Sequence, residues 1–295
     1  MLLGLALVSL AAVSWGTTGA VMTLLAREGT PSPLVVGWAR VAVAAPCLLV
    51  ATVFGHPSAP GAWRPRDVAS AALLGAAMAA YQVCYFWAVP RTGLALTALF
   101  ALCSAPLMIS AGAARWLKER PNPTARIALL LAVAGTAMIL AGPRPGGPAP
   151  PGFTAGALAA LGAGLSYAVY AVTAKGLLRR IPPLPLAALT FTLAALLLVP
   201  VLAVEHGAPG QLAAGWPLLV YLGVVPTAAA YVIFGLGLRR VTATTAGIAT
   251  LLEPLTAAAL GVLVFGERLG GIGWAGAALL LAALGLLARS GSGRQ

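Results

Sequence analysis

The chain has 295 residues, of which 60% are hydrophobic and 8% charged, with 18 Lys and Arg against 6 acids. So few charges cannot clothe a water-soluble domain of this length, so its solvent must be lipid. The surplus of basic residues would suggest nucleic acid in a soluble protein, but there is no basic stripe or aromatic platform on a polar face; cations flanking membrane helices account for the excess, and nucleic acid is excluded as a partner.

Apolar runs of spanning length follow one another, separated by Pro, Gly or charge, over 2–26, 32–54, 67–89, 93–113, 124–142, 152–174, 183–204, 214–237, 243–265 and 271–289. The runs are continuous and do not alternate, so they predict helices rather than barrel strands, and an all-α membrane protein of ten transmembrane helices. The first run is too long for the core of a cleavable signal and reads as a retained helix. Helices three and four nearly touch at 90–93. The Gly/Pro-rich stretch 143–151 is expected to link a first half, 1–142, to a second, 152–295, with no room for a separate soluble domain.

The halves repeat each other. Pro106, Glu119 and Arg120 recur 148 residues later as Pro254, Glu267 and Arg268, and Gly75, Phe86, Arg91, Ala95 and Thr97 recur as Gly223, Phe234, Arg239, Ala243 and Thr245. The register holds from Leu74 to the end of the first half, with one telling difference: Ala105 stands where the second half has Glu253. Five helices per repeat is an odd number, so the halves must cross the membrane in opposite senses. Inverted repeats around a central cavity are the architecture of alternating-access transporters.

Loop charge sets the orientation. With the N-terminus cytoplasmic, thirteen Lys and Arg, including Arg64, Lys118, Lys175, Arg179 and Arg240, fall inside. Four (Arg27, Arg91, Arg144 and Arg268) fall outside. This asymmetry predicts a bacterial-type cytoplasmic (inner) membrane protein with both termini cytoplasmic.

Charges inside the bilayer are costly and so are candidate functional groups. Glu253, about ten residues and roughly 15 Å into helix nine, lies near the midplane. It could serve as a proton or cation site or contact a substrate amine. It could instead brace the turn that Pro254 distorts, and the Ala105-Pro106 match, which keeps the proline without the acid, favours bracing. Arg40 in helix two could bind a substrate carboxylate, snorkel, or pair across helices. Tyrosines near the midplane need partners for their hydroxyls, which a polar cavity or a neighbouring helix would supply. Trp15, Tyr81, Gln82, Tyr85, Ser166, Tyr170 and Tyr231 are the expected substrate-binding set, with Tyr167 beside them and Trp15 at the edge. Glu253, Pro254 and Arg40 are the coupling or kink-bracing candidates. Cys47, Cys84 and Cys103 sit in apolar runs and read as small core residues, not disulfides. His56 and His206 have no partner at metal spacing, so no metal and no cofactor are expected. Apart from Asp67 at the very start of the third run, no helix carries a His or Asp, which leaves no nucleophile–base set for an intramembrane enzyme.

Ser14-Trp15-Gly16-Thr17, Glu253-Pro254-Leu255, and the endings at Glu119-Arg120 and Glu267-Arg268 together resemble the drug/metabolite transporter superfamily, in its ten-helix EamA type. Within it the chain is most similar to the amino-acid exporters, including those for aromatic amino acids and methionine. The resemblance implies a substrate cavity between the halves, lined by helices one, three, four, six, eight and nine, with five and ten peripheral. It implies a small-molecule substrate, amino acids or other small zwitterions exported across the membrane, the alternative being efflux of drugs or other uncharged or cationic metabolites. The lipid bilayer is the only other partner expected, with no obligatory protein partner. Ala105 departs from the symmetric Glu-Pro pattern.

Overall fold

Proline opens four of the ten spanning helices, at Pro33, Pro65, Pro123 and Pro183, because the first helical position needs no N–H and favours a fixed φ. In the computed structural model, residues 1–27, 32–55, 64–140, 151–205, 207–266, 268 and 270–292 are described. Ten helices are long and apolar enough to span a bilayer: α1 Leu2–Arg27, α2 Pro33–Phe54, α3 Pro65–Thr92, α4 Leu94–Leu117, α5 Pro123–Leu140, α6 Phe153–Leu177, α7 Pro183–Val204, α8 Trp216–Leu238, α9 Ala243–Phe265 and α10 Gly271–Arg289. The described residues contain no strand. The expected near-contact of helices three and four is real: only Gly93, at φ 81°, separates α3 from α4. His56, His206, Glu267 and most of 143–151 lie outside the described residues.

Packing follows an exchange rule. α5 lies along α10 and α2 along α7; α3 packs on α6 as α8 packs on α1, and α4 on α6 as α9 on α1. Each of these contacts maps onto another, or itself, when helix n is exchanged for helix n+5, the pattern expected of two related five-helix halves. Small residues permit the close approaches. A Cβ on Gly135 would lie 2.6 Å from the Gly276 carbonyl, so α5 and α10 meet backbone to backbone. A Cβ on Gly16 would meet the Glu253 carbonyl at 2.7 Å, so α1 is pressed onto α9 at its acid.

Four spans are irregular: α4 ends in a π-helical turn over Ala113–Leu117, α7 breaks at Leu198–Val199 just before Pro200, and α8 and α9 are interrupted mid-span. α9 breaks at Thr250–Leu251, between Ala243–Ala249 and Leu252–Phe265, because Pro254 offers no N–H to the Thr250 carbonyl. α8 widens into a π-helical turn over Val224–Ala229, around Pro226. Such turns concentrate at functional sites.

One sequence expectation is corrected. Cys47 is exposed on the outer face, not a small core residue, while Cys84 and Cys103 are half-buried; all three are free thiols. An apolar thiol facing lipid is no worse placed than one in the core, so the hydrophobic run alone could not tell the two apart.

Candidate functional site: a cavity between the halves

The cavity is built where α4, α8 and α9 meet α1, α2 and α3. Its main chamber, of about 380 Å³, is lined in its deep part by Trp15, Arg40, Tyr81, Tyr85, Glu253 and Pro254. Leu94, Ile139, Leu140, Val262, Phe265 and Arg268 line its mouth, so it opens where α1, α3, α5 and α9 end and α4 begins. Below the chamber a recess of about 30 Å³ is bounded by Trp15, Thr18, Arg40, Tyr167, Tyr231 and Glu253, with Ala101, Ala105 and Gly164 also in its wall.

Arg40, 6% exposed, does not snorkel. Its Nε donates to Thr227 Oγ1 at 3.0 Å and its Nη2 to the Pro226 carbonyl at 3.4 Å. Thr227 in turn donates to the Leu222 carbonyl at 2.7 Å, which Pro226 has left without its helical donor. The π turn of α8 therefore fixes the guanidinium from one side, and the arginine lines the cavity.

Glu253 lies in the first turn of the second segment of α9, Leu252–Phe265. The Thr250 carbonyl freed by Pro254 is taken by the Glu253 backbone N–H at 3.0 Å. Among the described residues the one ion pair is Arg180–Asp67, so no such pair holds the Glu253 carboxylate. Opposite charges therefore face one chamber from α2 and α9.

The aromatic residues divide. Trp15 packs on Tyr231 at 4.9 Å and edge-on to Tyr167 at 6.1 Å, while Tyr81 stacks on Tyr85 at 5.7 Å. Trp15 is buried and walls both chamber and recess, rather than standing at the edge. Gln82, Ser166 and Tyr170 are not in the walls. Tyr170 is buried edge-on to Tyr231 at 5.6 Å, Gln82 is 2% exposed, and the Ser166 hydroxyl turns back to the Gly162 carbonyl at 2.8 Å. Helical spacing placed them mid-membrane but not on a face. Thr18, Thr227 and Thr250 were missed, and Tyr167 was placed only beside the set; Pro226, four residues beyond Leu222, and Pro254, four residues beyond Thr250, are the marks in the sequence of the freed carbonyls. Nor is α5 wholly peripheral, because Ile139 and Leu140 reach the mouth.

The far end is shut. Lys175 Nζ donates to the Leu238 and Val241 carbonyls at 2.7 and 2.6 Å, where α8 ends. Glu119 Oε2 accepts from the Ala243 N–H at 2.8 Å, where α9 begins. A cation on a helix C-terminus and an anion on an N-terminus each complement the local dipole. Lys118, left-handed at φ 56°, turns the chain to bring Glu119 there. Arg180 and Asp67, 3.2 Å apart, join the α6–α7 loop to the start of α3.

The model of the EamA-like transporter family matches residues 2–141 and again 154–289. The chain belongs to the EamA-like transporter family. This transporter is 36% identical over 306 residues, covering 98% of it and 94% of the relative, to the uncharacterized transporter YwfM of Bacillus subtilis (strain 168). It is 30% identical over 234 residues, 79% of this chain and 77% of the other, to a Streptantibioticus cattleyicolor protein named "Probable terminal-alkyne amino-acid exporter". A solved crystal structure at 22% identity and TM-score 0.80 covers 97% of this chain and 98% of its own, and so shares the fold. The chain is a multi-pass membrane transporter.

Proposed function

We propose that this transporter is a secondary exporter of small zwitterions, amino acids first among them, working by alternating access between two inverted repeats, 1–142 and 152–295. One observation carries the reading: Arg40 and Glu253 present opposite charges to a single chamber with aromatic walls. A zwitterion supplies the matching pair, whereas an isolated anion or cation would leave one buried charge unpaired. The similarity to a protein named as an amino-acid exporter supports the same class. The basic residues gather at the shut end, so with that end cytoplasmic the cavity is open to the outside, and the membrane is a cytoplasmic (inner) one. A cysteine placed at Arg179 should then be labelled only from the cytoplasmic side.

A second reading, efflux of uncharged or cationic metabolites or drugs, draws on Glu253 beside Trp15, Tyr81 and Tyr85, a set that suits an organic cation. Flux in proteoliposomes, run with a mixed amino-acid panel and a panel of lipophilic cations, decides between them. Counterflow of amino acids alone is expected; cation flux without amino-acid flux overturns the first reading in favour of the second.

A further inference from the structure

We propose that the recess beneath the chamber is the substrate's carboxylate subsite, and that the first repeat lacks its acid because the substrate brings its own. This rests on the zwitterion reading above. By the repeat, Ala105 is the counterpart of Glu253, and the two residues bound the same recess. A second carboxylate there would stand with Glu253 around about 30 Å³, room for a small polar group and little else. With alanine in that place, the groups around the recess are predominantly donors. Trp15 Nε1 and the Tyr167 hydroxyl are buried beside it with no hydrogen-bond partner, as is Thr18 Oγ1. Trp15 and Tyr167 are 5% and 8% exposed.

Buried donors without partners cost free energy and call for an explanation. An indole N–H can only donate, a guanidinium can only donate, and a phenol donates readily to an anion. Trp15, Tyr167 and Arg40 together suit a carboxylate, which accepts several donors at once. Glu253, at the boundary of recess and chamber, is then left for the ammonium group. The side chain of the substrate points up the chamber toward Leu94, Ile139, Val262 and Phe265, an apolar wall. The subsite therefore fixes the direction in which the substrate lies, and demands a free carboxylate as well as a free amine.

The test uses purified, folded transporter titrated with L-leucine, L-methionine and L-phenylalanine, each paired with its carboxamide, which keeps the ammonium and side chain but removes the carboxylate charge. Wild type should prefer each acid over its amide by about tenfold or more, the scale of a lost charge-assisted bond. Trp15→Phe and Tyr167→Phe, which delete one donor and leave an aromatic ring in place, should cut acid affinity by about five- to tenfold and change amide affinity far less, so that the acid-to-amide comparison reports the donor. Ala105→Glu should abolish the acid preference and favour the amides. Equal loss for acid and amide in the Trp15 and Tyr167 variants overturns the subsite, as does an Ala105→Glu protein that still prefers the acids. If Ala105→Glu does not fold, the two donor deletions decide alone. Wild type that binds amino acids and amides alike overturns the subsite while leaving the transport reading standing; wild type that binds neither overturns both.

Discussion

Thr227 holds Arg40: its Oγ1 accepts from the arginine Nε at 3.0 Å while its own proton goes to the Leu222 carbonyl at 2.7 Å. The hydroxyl thus occupies the gap that Pro226 opens in α8 and uses it to aim a buried guanidinium. Thr227→Val keeps the shape and removes both bonds. Substrate affinity should fall about tenfold, and Thr227→Ser should restore it. Binding titration and thermal unfolding separate the roles. A valine variant that melts lower but binds normally would make Thr227 a packing residue and not a positioning one.

The shut end should open when its clamp is cut. Lys175 holds two carbonyls at the end of α8, and each such bond to a charged group is worth about 1.5–3 kcal/mol. Lys175→Met should therefore raise the population open at that end by about tenfold or more. Ala246, 1% exposed, lies in the first segment of α9, beside the shut end, and reports on this. With Cys47, Cys84 and Cys103 replaced, a cysteine at Ala246 should resist a soluble thiol reagent in the parent and react at least about tenfold faster in the Lys175→Met background. Equal labelling rates in the two would show that the clamp does not hold the end closed.

Hydrophobic run length and the 148-residue repeat made the helices legible, because a bilayer imposes a fixed length of apolar chain and the repeat supplies the pairing. The boundaries of α2, Pro33–Phe54, and α9, Ala243–Phe265, agree with the sequence reading to within a residue. The site was legible only where chemistry is rare. Glu253 and Arg40 stood out because charge in lipid is rare, and the structure places them on one cavity. Faces were not legible. Each helix is apolar all round, so periodicity could not separate Tyr81, in the wall, from Tyr170, in the core. Thr227 was hidden because its role depends on a π turn, which is a tertiary accommodation of Pro226.

That division is itself testable. Tyr81→Ala removes a cavity wall and should lower flux several-fold while the protein stays monodisperse. Tyr170→Ala removes a buried ring packed on Tyr231 and Phe234, a change on the scale of about 3–5 kcal/mol in stability. It should depress the melting temperature before it changes the affinity of the folded fraction. Leu130→Val, on an outward position of α5 that is 66% exposed, is the neutral control; Ile139 is unsuitable because it lines the mouth. Similar melting curves for the two tyrosine variants would show that the walls have been drawn wrongly.

Glu253 is the residue on which coupling should turn. The turn distorted by Pro254 is completed by the Glu253 backbone N–H bonding Thr250 at 3.0 Å, so the carboxylate is not required to brace it. A carboxylate left facing the chamber can take a proton or a substrate ammonium, but not both. That competition alone suffices to link outward passage of one to inward passage of the other. Glu253→Gln retains the size and hydrogen-bonding capacity of the side chain and abolishes its charge. The variant should still exchange substrate down a gradient, with a half-saturation concentration raised about tenfold by the lost ion pair. It should no longer accumulate substrate in response to an imposed pH gradient. Proteoliposomes measure both quantities on one preparation. A glutamine variant with unchanged half-saturation and a normal response to the pH gradient would return Glu253 to a bracing role, as Ala105-Pro106 in the other repeat suggests, and would place the coupling group elsewhere.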